Sequence, residues 1–229
     1  DLWIEVFLRP SQEDMRGQID RWRELGFYGC LSVEGHTVYV DPLKRRALCA
    51  ISTPGGVASV IESATRRVFF ALQAELDIIM LHASCVEKDG RAFVFIASSG
   101  GGKTTLSERM RSAGYQVLDE ECCPISRKGG RYVTGSHPSF LGSDRERTYS
   151  LGGIYLLQKD SVDIIETMSV TEAIGRAMPE AMVHFFGLVP PDLRPASRRH
   201  IFSFLEEMFS SVPLGLLRFT REGGVAVCV

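Results

Sequence analysis

The stretch that decides the fold is residues 92–106, Ala-Phe-Val-Phe-Ile-Ala-Ser-Ser-Gly-Gly-Gly-Lys-Thr-Thr-Leu. It opens with an uninterrupted apolar run, 92–96, which is typical of a strand buried on both faces. Glycines and Lys103 follow, and residues 104–113 favour a helix that Gly114 ends. A buried strand, a glycine-rich turn and a helix are the context that a phosphate-binding loop requires.

Residues 97–104, Ala-Ser-Ser-Gly-Gly-Gly-Lys-Thr, match the phosphate-loop pattern, with Ala97 at the position of the usual first glycine. Glycines let backbone N–H groups approach a polyphosphate closely, and the helix N-terminus adds unpaired donors and a positive dipole end. Lys103 would then reach the β and γ phosphates, and the Thr104 hydroxyl would bind Mg²⁺. The predicted phosphate-binding residues are Ser98, Ser99, Gly100, Gly101, Gly102, Lys103, Thr104 and Thr105. The alternative is a glycine-rich turn with an exposed lysine.

An acidic cluster, Asp119-Glu120-Glu121, ends the next predicted strand, 115–118. The helix and this strand have similar lengths, so the chain returns to the sheet edge that carries the glycine-rich turn. A right-handed crossover would lay the new strand parallel to the first. A carboxylate at that edge could hold Mg²⁺ or water, or take a proton from an attacking hydroxyl. Because side chains alternate along a strand, we expect Glu120 to face away from Asp119 and Glu121. The alternative is a solvated acidic turn.

Two further polar residues are candidates for the same site. His82 ends the apolar run 78–81, directly before a hairpin that Asp89-Gly90 predicts. It would either contact phosphate or tune an acid, or be a structural histidine. Arg145, in the polar stretch 135–150, would hold a phosphate, the surroundings of a nucleotide base or an acidic peptide, unless it is a solvated surface residue.

The composition bounds the class of protein. The 229 residues include 26 basic and 28 acidic ones, and the resulting net charge of −2 argues against a dedicated nucleic-acid binder. No apolar stretch is long enough to span a membrane. The six cysteines show no CxxC spacing, which favours free thiols in a reducing cytoplasm.

We expect two parts, an α+β extension over 1–78 and an α/β domain over 79–229. In the extension, the patterns predict a helix over 11–24, a hairpin around Gly35 and a helix near 56–76 with an apolar stripe. In the domain, they predict a strand over 153–157, a helix that the capping box Ser169–Glu172 opens and Pro179 disturbs, a loop marked by Pro195, and a closing strand over 225–229.

Four segments together resemble the catalytic core of the HPr kinase/phosphorylase family. They are Leu81-His82-Ala83, Asp89-Gly90, residues 95–106 and Gly114–Glu121. The similarity to this family is greatest over residues 81–125. The chain also resembles the smaller HPr-kinase-like proteins found beside peptide-modification genes. The resemblance implies a P-loop-containing mixed sheet with flanking helices, a core shared with ATP-type phosphoenolpyruvate carboxykinases. It also implies an ATP- and Mg²⁺-dependent kinase that phosphorylates a serine of a peptide or small protein, and self-association into homo-oligomers.

The resemblance also implies roles for individual residues. His82 matches the histidine that the family places before the hairpin, and Glu120 and Glu121 fall on its two acidic positions, usually Asp-Asp or Asp-Glu. One of them would be the catalytic base, and both would lie near metal, so that Thr104 and Glu120 are the implied metal ligands. If the register slips by one residue, Asp119 takes the role instead. The family's second, C-terminal signature loop is not found, so phosphorylase activity is not expected.

Two other functions remain open from the sequence. The fold could bind a nucleotide or phosphorylated ligand without turnover and act as a partner-binding module, which the departure to Glu-Glu favours. It could also be a small-molecule kinase that acts on free serine or a similar alcohol. The first 78 residues would either recognise the substrate or pack against the sheet.

Overall fold

A computed structural model of the chain describes residues 3–8, 28–33, 36–41, 43–44, 46–51, 57–135, 148–183 and 185–221. The strands are β1 Trp3–Leu8, β2 Tyr28–Val33, β3 His36–Asp41, β4 Arg46–Ile51, β5 Ile78–Leu81, β6 Ala83–Lys88, β7 Arg91–Ile96, β8 Gln116–Asp119, β9 Cys123–Lys128, β10 Arg131–Gly135, β11 Thr148–Lys159, β12 Ile164–Thr167 and β13 Leu214–Phe219. The helices are α1 Val57–Leu72, α2 Lys103–Ser112, α3 Val170–Ala181, α4 Phe185–Leu188 and α5 Arg194–Ser211. The architecture is therefore mixed α/β, as predicted.

The described residues form two compact units. The first contains those up to Leu76 together with 185–198, and the second contains 77–135, 148–183 and 199–221. The predicted boundary between 78 and 79 stays a prediction about domains, because compactness alone does not test independent folding.

A four-stranded sheet organises the first unit, in the order β1-β4-β3-β2. Strands β1 and β4 are parallel, and the other neighbours are antiparallel. The predicted hairpin around Gly35 is confirmed by the pairing of β2 with β3. Helix α1 packs on β3 and β4, and its buried Val68 and Leu72 confirm the predicted apolar stripe.

The second unit is built on a nine-stranded mixed sheet. Its main order is β5-β9-β10-β11-β7-β6-β8, and β13 pairs with both β11 and β12. The Asp89-Gly90 hairpin is confirmed, because β6 and β7 pair antiparallel over Ala83–Ile96. Strand β7 is almost fully buried, as its apolar run predicted.

Three strands of this sheet end at one edge. Strand β11 runs parallel to β7, with Leu156 opposite Ile96. Strand β8 pairs antiparallel with β6, which itself pairs antiparallel with β7, so β8 runs in the direction of β7. The predicted parallel direction is confirmed, but β6 lies between the two strands, because the hairpin partner occupies the neighbouring position first.

Helix α2 is anchored by its basic residue Arg109. This side chain donates to the Thr220 carbonyl at 2.6 Å and to Asp163 Oδ2 at 3.1 Å, while Asp163 Oδ1 accepts from the Thr220 N–H at 2.6 Å. The apolar face of the helix contributes Leu106 and Met110 to the core around Phe95. The helix that follows the glycine-rich turn is therefore fixed on both its polar and its apolar side.

Proline affects the helices less than the sequence suggested. We expected Pro195 in a loop, but it lies in the first turn of α5, where a missing N–H costs nothing. Helix α3 begins with the predicted capping box, in which Ser169 Oγ accepts from the Glu172 N–H at 3.2 Å, and it continues through Pro179 to Ala181.

The cysteines whose side chains are described, Cys49, Cys85, Cys122 and Cys123, are buried and form no disulfide. Burial raises the pKa of Cys49 to about 11. A hydrogen bond with Cys123 together with burial raises the pKa of Cys85 well above its usual value. The Cys49 and Cys85 thiols are thus protonated and inert in the folded chain at neutral pH.

Several sequence-based predictions fall outside the described residues. They are the helix over 11–24, the central part of the polar stretch 135–150 with Arg145, and the closing strand 225–229. Among the described helices, none combines the length and apolar character that crossing a bilayer requires.

Candidate functional site

A glycine loop, residues 97–102, joins the end of β7 to the start of α2. Within it, the Gly101 N–H donates to the Ser98 carbonyl at 2.9 Å, which forms a tight turn. Gly102 caps α2 with a φ of 101°, and its carbonyl accepts the Leu106 N–H at 2.9 Å. The strand–turn–helix arrangement expected around Lys103 is therefore present.

Two positions of the glycine loop accept no side chain. A Cβ at Gly101 would lie 2.6 Å from the Cβ of Ala97, and a Cβ at Gly102 would collide with the ring of Phe219. Glycine at 101 thus makes room for alanine at 97, the one departure from the phosphate-loop pattern. The loop is closely packed, and its backbone lies against neighbouring groups without intervening side chains.

The Lys103 side chain turns back over the glycine loop. Its Nζ donates to the Ala97 carbonyl at 2.7 Å and to the Ser98 carbonyl at 3.4 Å, and lies 3.1 Å from His82 Nε2. Lys103 is only 8% exposed. Burial lowers the pKa of Lys103, and the carboxylates of Glu180 and Glu121 oppose this shift.

His82 connects the lysine to the acidic cluster. Its Nδ1 lies 2.9 Å from the Glu121 carbonyl oxygen, which can only accept, so Nδ1 carries the proton. Nε2 is then the acceptor for the Lys103 ammonium. Both contacts fit one neutral tautomer, and a second proton on the ring would remove the acceptor of Lys103.

The three acidic residues have separate environments. Strand β8 ends at Asp119, whose Oδ1 accepts from the N–H groups of Glu121 and Cys122, both at 2.8 Å. Glu120 Oε1 accepts from Arg111 at 3.3 Å. The expected alternation is wrong, because the strand stops at Asp119 and Glu120 and Glu121 follow in a bend where both reach the same cavity. Asp119 instead stabilises the bend.

Glu180, which the sequence analysis missed, is a buried carboxylate near this site. Its backbone carbonyl accepts a hydrogen bond from the backbone N–H of His82 at 3.0 Å, and Glu180 as a whole is 8% exposed. Burial raises the pKa of Glu180, while the charge of Lys103 acts in the opposite direction. The sequence held a signal, because Glu180 shares the apolar helical face of Ala173 and Ala177.

These groups surround a cavity of about 290 Å³. Its lining contains His82, Ser99, Gly100, Gly102, Lys103, Thr104, Thr105, Glu120, Glu121 and Lys159. Of the predicted site residues, Ser98, Gly101 and Asp119 lie near the cavity in sequence but do not line it, and Arg145 is outside the described residues.

Lys159 is the second residue that the sequence analysis missed. It ends β11, which runs parallel to β7, so its end lies at the same sheet edge as the glycine loop. A lysine two residues beyond the predicted strand 153–157 was the available signal. Within the described ranges, no group of three or more His, Cys, Asp or Glu residues has an arrangement suited to a metal ion.

The fold and the cavity define a mixed α/β protein that gathers a glycine loop, two lysines and two glutamates at one sheet edge. A family model described as "ScmC: SynChlorMet cassette protein ScmC" matches residues 57–226, which is most of the chain. The chain belongs to the ScmC family. A search of curated proteins found no match.

Proposed function

We propose that this chain is a P-loop kinase of the HPr-kinase-like type, which transfers the γ-phosphoryl group of ATP to a serine hydroxyl of a peptide or small protein. The observation that supports this most is that one cavity is lined by the glycine loop, Lys103 and Thr104 on one side and by Glu120 and Glu121 on another. These are the groups that phosphoryl transfer uses for binding, charge neutralisation and proton removal.

The phosphate chain would lie against the glycine loop and the first turn of α2. The N–H groups of that turn have no partner within the helix, and the helix dipole adds a positive partial charge. Lys103 would exchange the Ala97 and Ser98 carbonyls for phosphate oxygens. The cavity volume lies near the lower end of the range for small-molecule sites, which suits a phosphate chain with its metal.

The donor groups of the cavity also fit Mg²⁺. Hydroxyl and carboxylate oxygens are its preferred protein ligands, and Thr104 and Glu120 both line the cavity. When bound, Mg²⁺ would neutralise charge on the β and γ phosphates. Arg111 holds the Glu120 carboxylate at 3.3 Å and would keep it oriented for this role.

The transfer step balances with groups of this chain. One glutamate takes the proton of the serine hydroxyl. Because Glu120 is proposed to bind the metal, Glu121 is the candidate for this base. The serine oxygen then forms a bond to the γ-phosphorus, while the bond from that phosphorus to the β–γ bridging oxygen breaks. ADP leaves with that electron pair, and Lys103 offsets the charge that develops.

The remaining features of the proposal rest on the resemblance and the composition. Residues 79–229 would carry catalysis and 1–78 would recognise the acceptor or pack against the sheet. We infer a cytoplasmic location, which suits four buried thiols that form no disulfide. Self-association into homo-oligomers, the use of Arg145 at the nucleotide and the lack of phosphorylase activity belong to the same proposal.

The test is a phosphoryl-transfer assay followed by intact-mass measurement. The family description names a cassette protein, so the first acceptors to try are the other products of that cassette. With ATP and Mg²⁺, the acceptor should gain one phosphoryl group, and Lys103→Ala should reduce the rate by about 100-fold or more. Lys128→Ala, an exposed lysine outside the cavity, is the matched control and should retain the rate.

Other outcomes identify other functions. Nucleotide binding without transfer to any acceptor would favour a partner-binding module, which the Glu-Glu pair supports because a longer side chain displaces a catalytic base. Transfer to free serine or a similar alcohol, but not to a peptide, would favour a small-molecule kinase. If the wild-type protein binds no nucleotide, the kinase proposal is wrong.

A further inference from the structure

Lys159 is a charged residue of the cavity without an evident structural role. It is the last residue of β11, it lies opposite Phe219 of β13, and its side chain is exposed into the cavity. Throughout the described ranges, no hydrogen bond or ion pair engages its ammonium group. Lys103, by contrast, has three contacts through Nζ.

The position of Lys159 along the sheet edge is fixed by the strand order. The sequence β11-β7-β6-β8 places the end of β7, and with it the glycine loop, between Lys159 and the glutamates that follow β8. Since Leu156 lies opposite Ile96, Lys159 extends three residues beyond that pair, over the glycine loop. Lys159 and Glu121 therefore lie on opposite sides of the loop.

The charge balance of the cavity gives Lys159 a function in anion binding. Two lysines and two glutamates line it, so their formal charges cancel. Without Lys159 the lining would carry a negative excess, which would repel a polyphosphate. An unpaired ammonium at that place attracts an anion at no cost in broken contacts.

We propose that Lys159 binds the phosphate chain of the donor nucleotide, on the side away from the acceptor. This inference rests on the proposed kinase function. An acceptor hydroxyl must approach the glutamates, since one of them removes its proton, and the donor phosphates then extend along the loop towards Lys159. Lys159 is a positioning residue for the donor and takes no part in proton transfer.

The test compares Lys159→Met, Lys159→Arg and the control Lys128→Met by calorimetric titration with ATP, ADP and adenosine in the presence of Mg²⁺. Lys128 is an exposed strand-end lysine that does not line the cavity. Lys159→Met should weaken ATP and ADP binding about 10-fold and adenosine binding little, because adenosine carries no phosphate for the ammonium group to attract. Lys159→Arg should restore most of the affinity, and Lys128→Met should bind as the wild type does.

Kinetics separates a donor role from an acceptor role. We expect Lys159→Met to raise KM for ATP about 10-fold, with kcat and the KM for the acceptor nearly unchanged. A higher acceptor KM with an unchanged ATP KM would overturn the inference, as would equal losses of affinity for ATP and adenosine. Lys159→Gln, tested for folding by circular dichroism, provides a second neutral variant if the methionine variant aggregates.

The two proposals fail in different ways. A wild-type protein that binds ATP, together with a Lys159→Met variant of equal affinity, overturns the role of Lys159 and leaves the kinase proposal intact. A wild-type protein that binds neither ATP nor ADP overturns both.

Discussion

At the scale of single residues, Lys103 and Glu180 form an opposite-charge arrangement in which burial acts against both charges. Burial lowers the pKa of Lys103 and raises the pKa of Glu180, and each charge offsets part of the shift of the other. His82 links them, because its backbone N–H donates to the backbone carbonyl of Glu180 and its ring Nε2 accepts from Lys103. A negative ligand beside Lys103 would add a further favourable charge contact to this group.

The raised pKa of Glu180 gives a prediction about stability and pH. A carboxyl whose pKa is higher in the folded state favours folding while it is protonated, and this contribution is lost as pH rises through the folded-state value. Glu180→Gln, which stays neutral, should therefore be more stable than the wild type at pH 8 and similar to it at pH 4. Thermal unfolding at both pH values measures the difference.

Glu172→Gln is the control for Glu180→Gln, because Glu172 lies on the same helix with an exposed side chain. It should change the melting temperature little at either pH. If Glu180→Gln is instead less stable than the wild type at pH 8, the Glu180 charge is net favourable, and its attraction to Lys103 outweighs its burial.

Gly102→Ala should destabilise the protein by about 2–3 kcal/mol, because alanine would combine a strained φ of 101° with a collision against Phe219. Gly114→Ala is the matched control, since Gly114 has a φ of 85° and open space around its Cα. It should cost only about 1–2 kcal/mol. If urea unfolding shows equal losses of unfolding free energy for the two variants, the Phe219 ring moves aside at little cost.

Residue-level prediction from sequence succeeded where one local rule decides. The strand–turn–helix arrangement around the glycine loop and the Asp89-Gly90 hairpin depend on backbone preferences that neighbouring residues fix. It failed for Asp119, because the end of a strand depends on hydrogen bonds from the Glu121 and Cys122 N–H groups rather than on alternation. It also failed for Lys159, whose relevance depends on a strand pairing distant in sequence.

At the scale of elements, helix α2 is held by the Arg109–Asp163 pair, whose side chains are 14% and 15% exposed. Arg109→Met should destabilise the protein by about 3 kcal/mol, because it leaves the Asp163 carboxylate and the Thr220 carbonyl short of a charged donor. Urea unfolding monitored by circular dichroism measures the change.

Arg176→Met is the control for the Arg109 variant. Arg176 pairs with Glu172 at 3.8 Å on the surface of α3, and both side chains are about half exposed. Its replacement should cost less than about 1 kcal/mol. A similar loss for both variants would contradict the view that α2 depends on its buried ion pair.

Element types were mostly predictable, and sheet order was not. The apolar run of β7 and the stripe of α1 each indicate one element. Strand β6 lies between β7 and β8 because it forms a hairpin with β7. Either side of β7 could have accepted a neighbouring strand, and hydrophobic periodicity does not encode which strand takes which side. The position of Pro195 inside α5 shows the same limit, since the first turn of a helix tolerates proline.

At the scale of the whole molecule, the kinase proposal predicts stabilisation confined to one unit. All residues that line the cavity belong to the second unit. ATP with Mg²⁺ at 100 times its Kd should stabilise that unit by about 2.7 kcal/mol and raise its melting temperature by roughly 5–10 °C. Hydrogen exchange should show the added protection in peptides from residues 77–135 and 148–183.

The Lys103→Ala variant serves as the control, because it removes the main cation and should lose most of the nucleotide-induced protection. Uniform protection of peptides from both units would contradict a stabilisation limited to the second one. An absence of any shift in the wild type would contradict nucleotide binding itself.

The buried thiols can be used to measure transient opening of the folded chain. Cys49 belongs to the first unit, and Cys85, Cys122 and Cys123 belong to the second. An alkylating reagent can modify each of them only while the surrounding structure is open. The rate at which each cysteine-containing peptide gains an adduct would therefore measure how often each half of the molecule comes apart, with no label introduced.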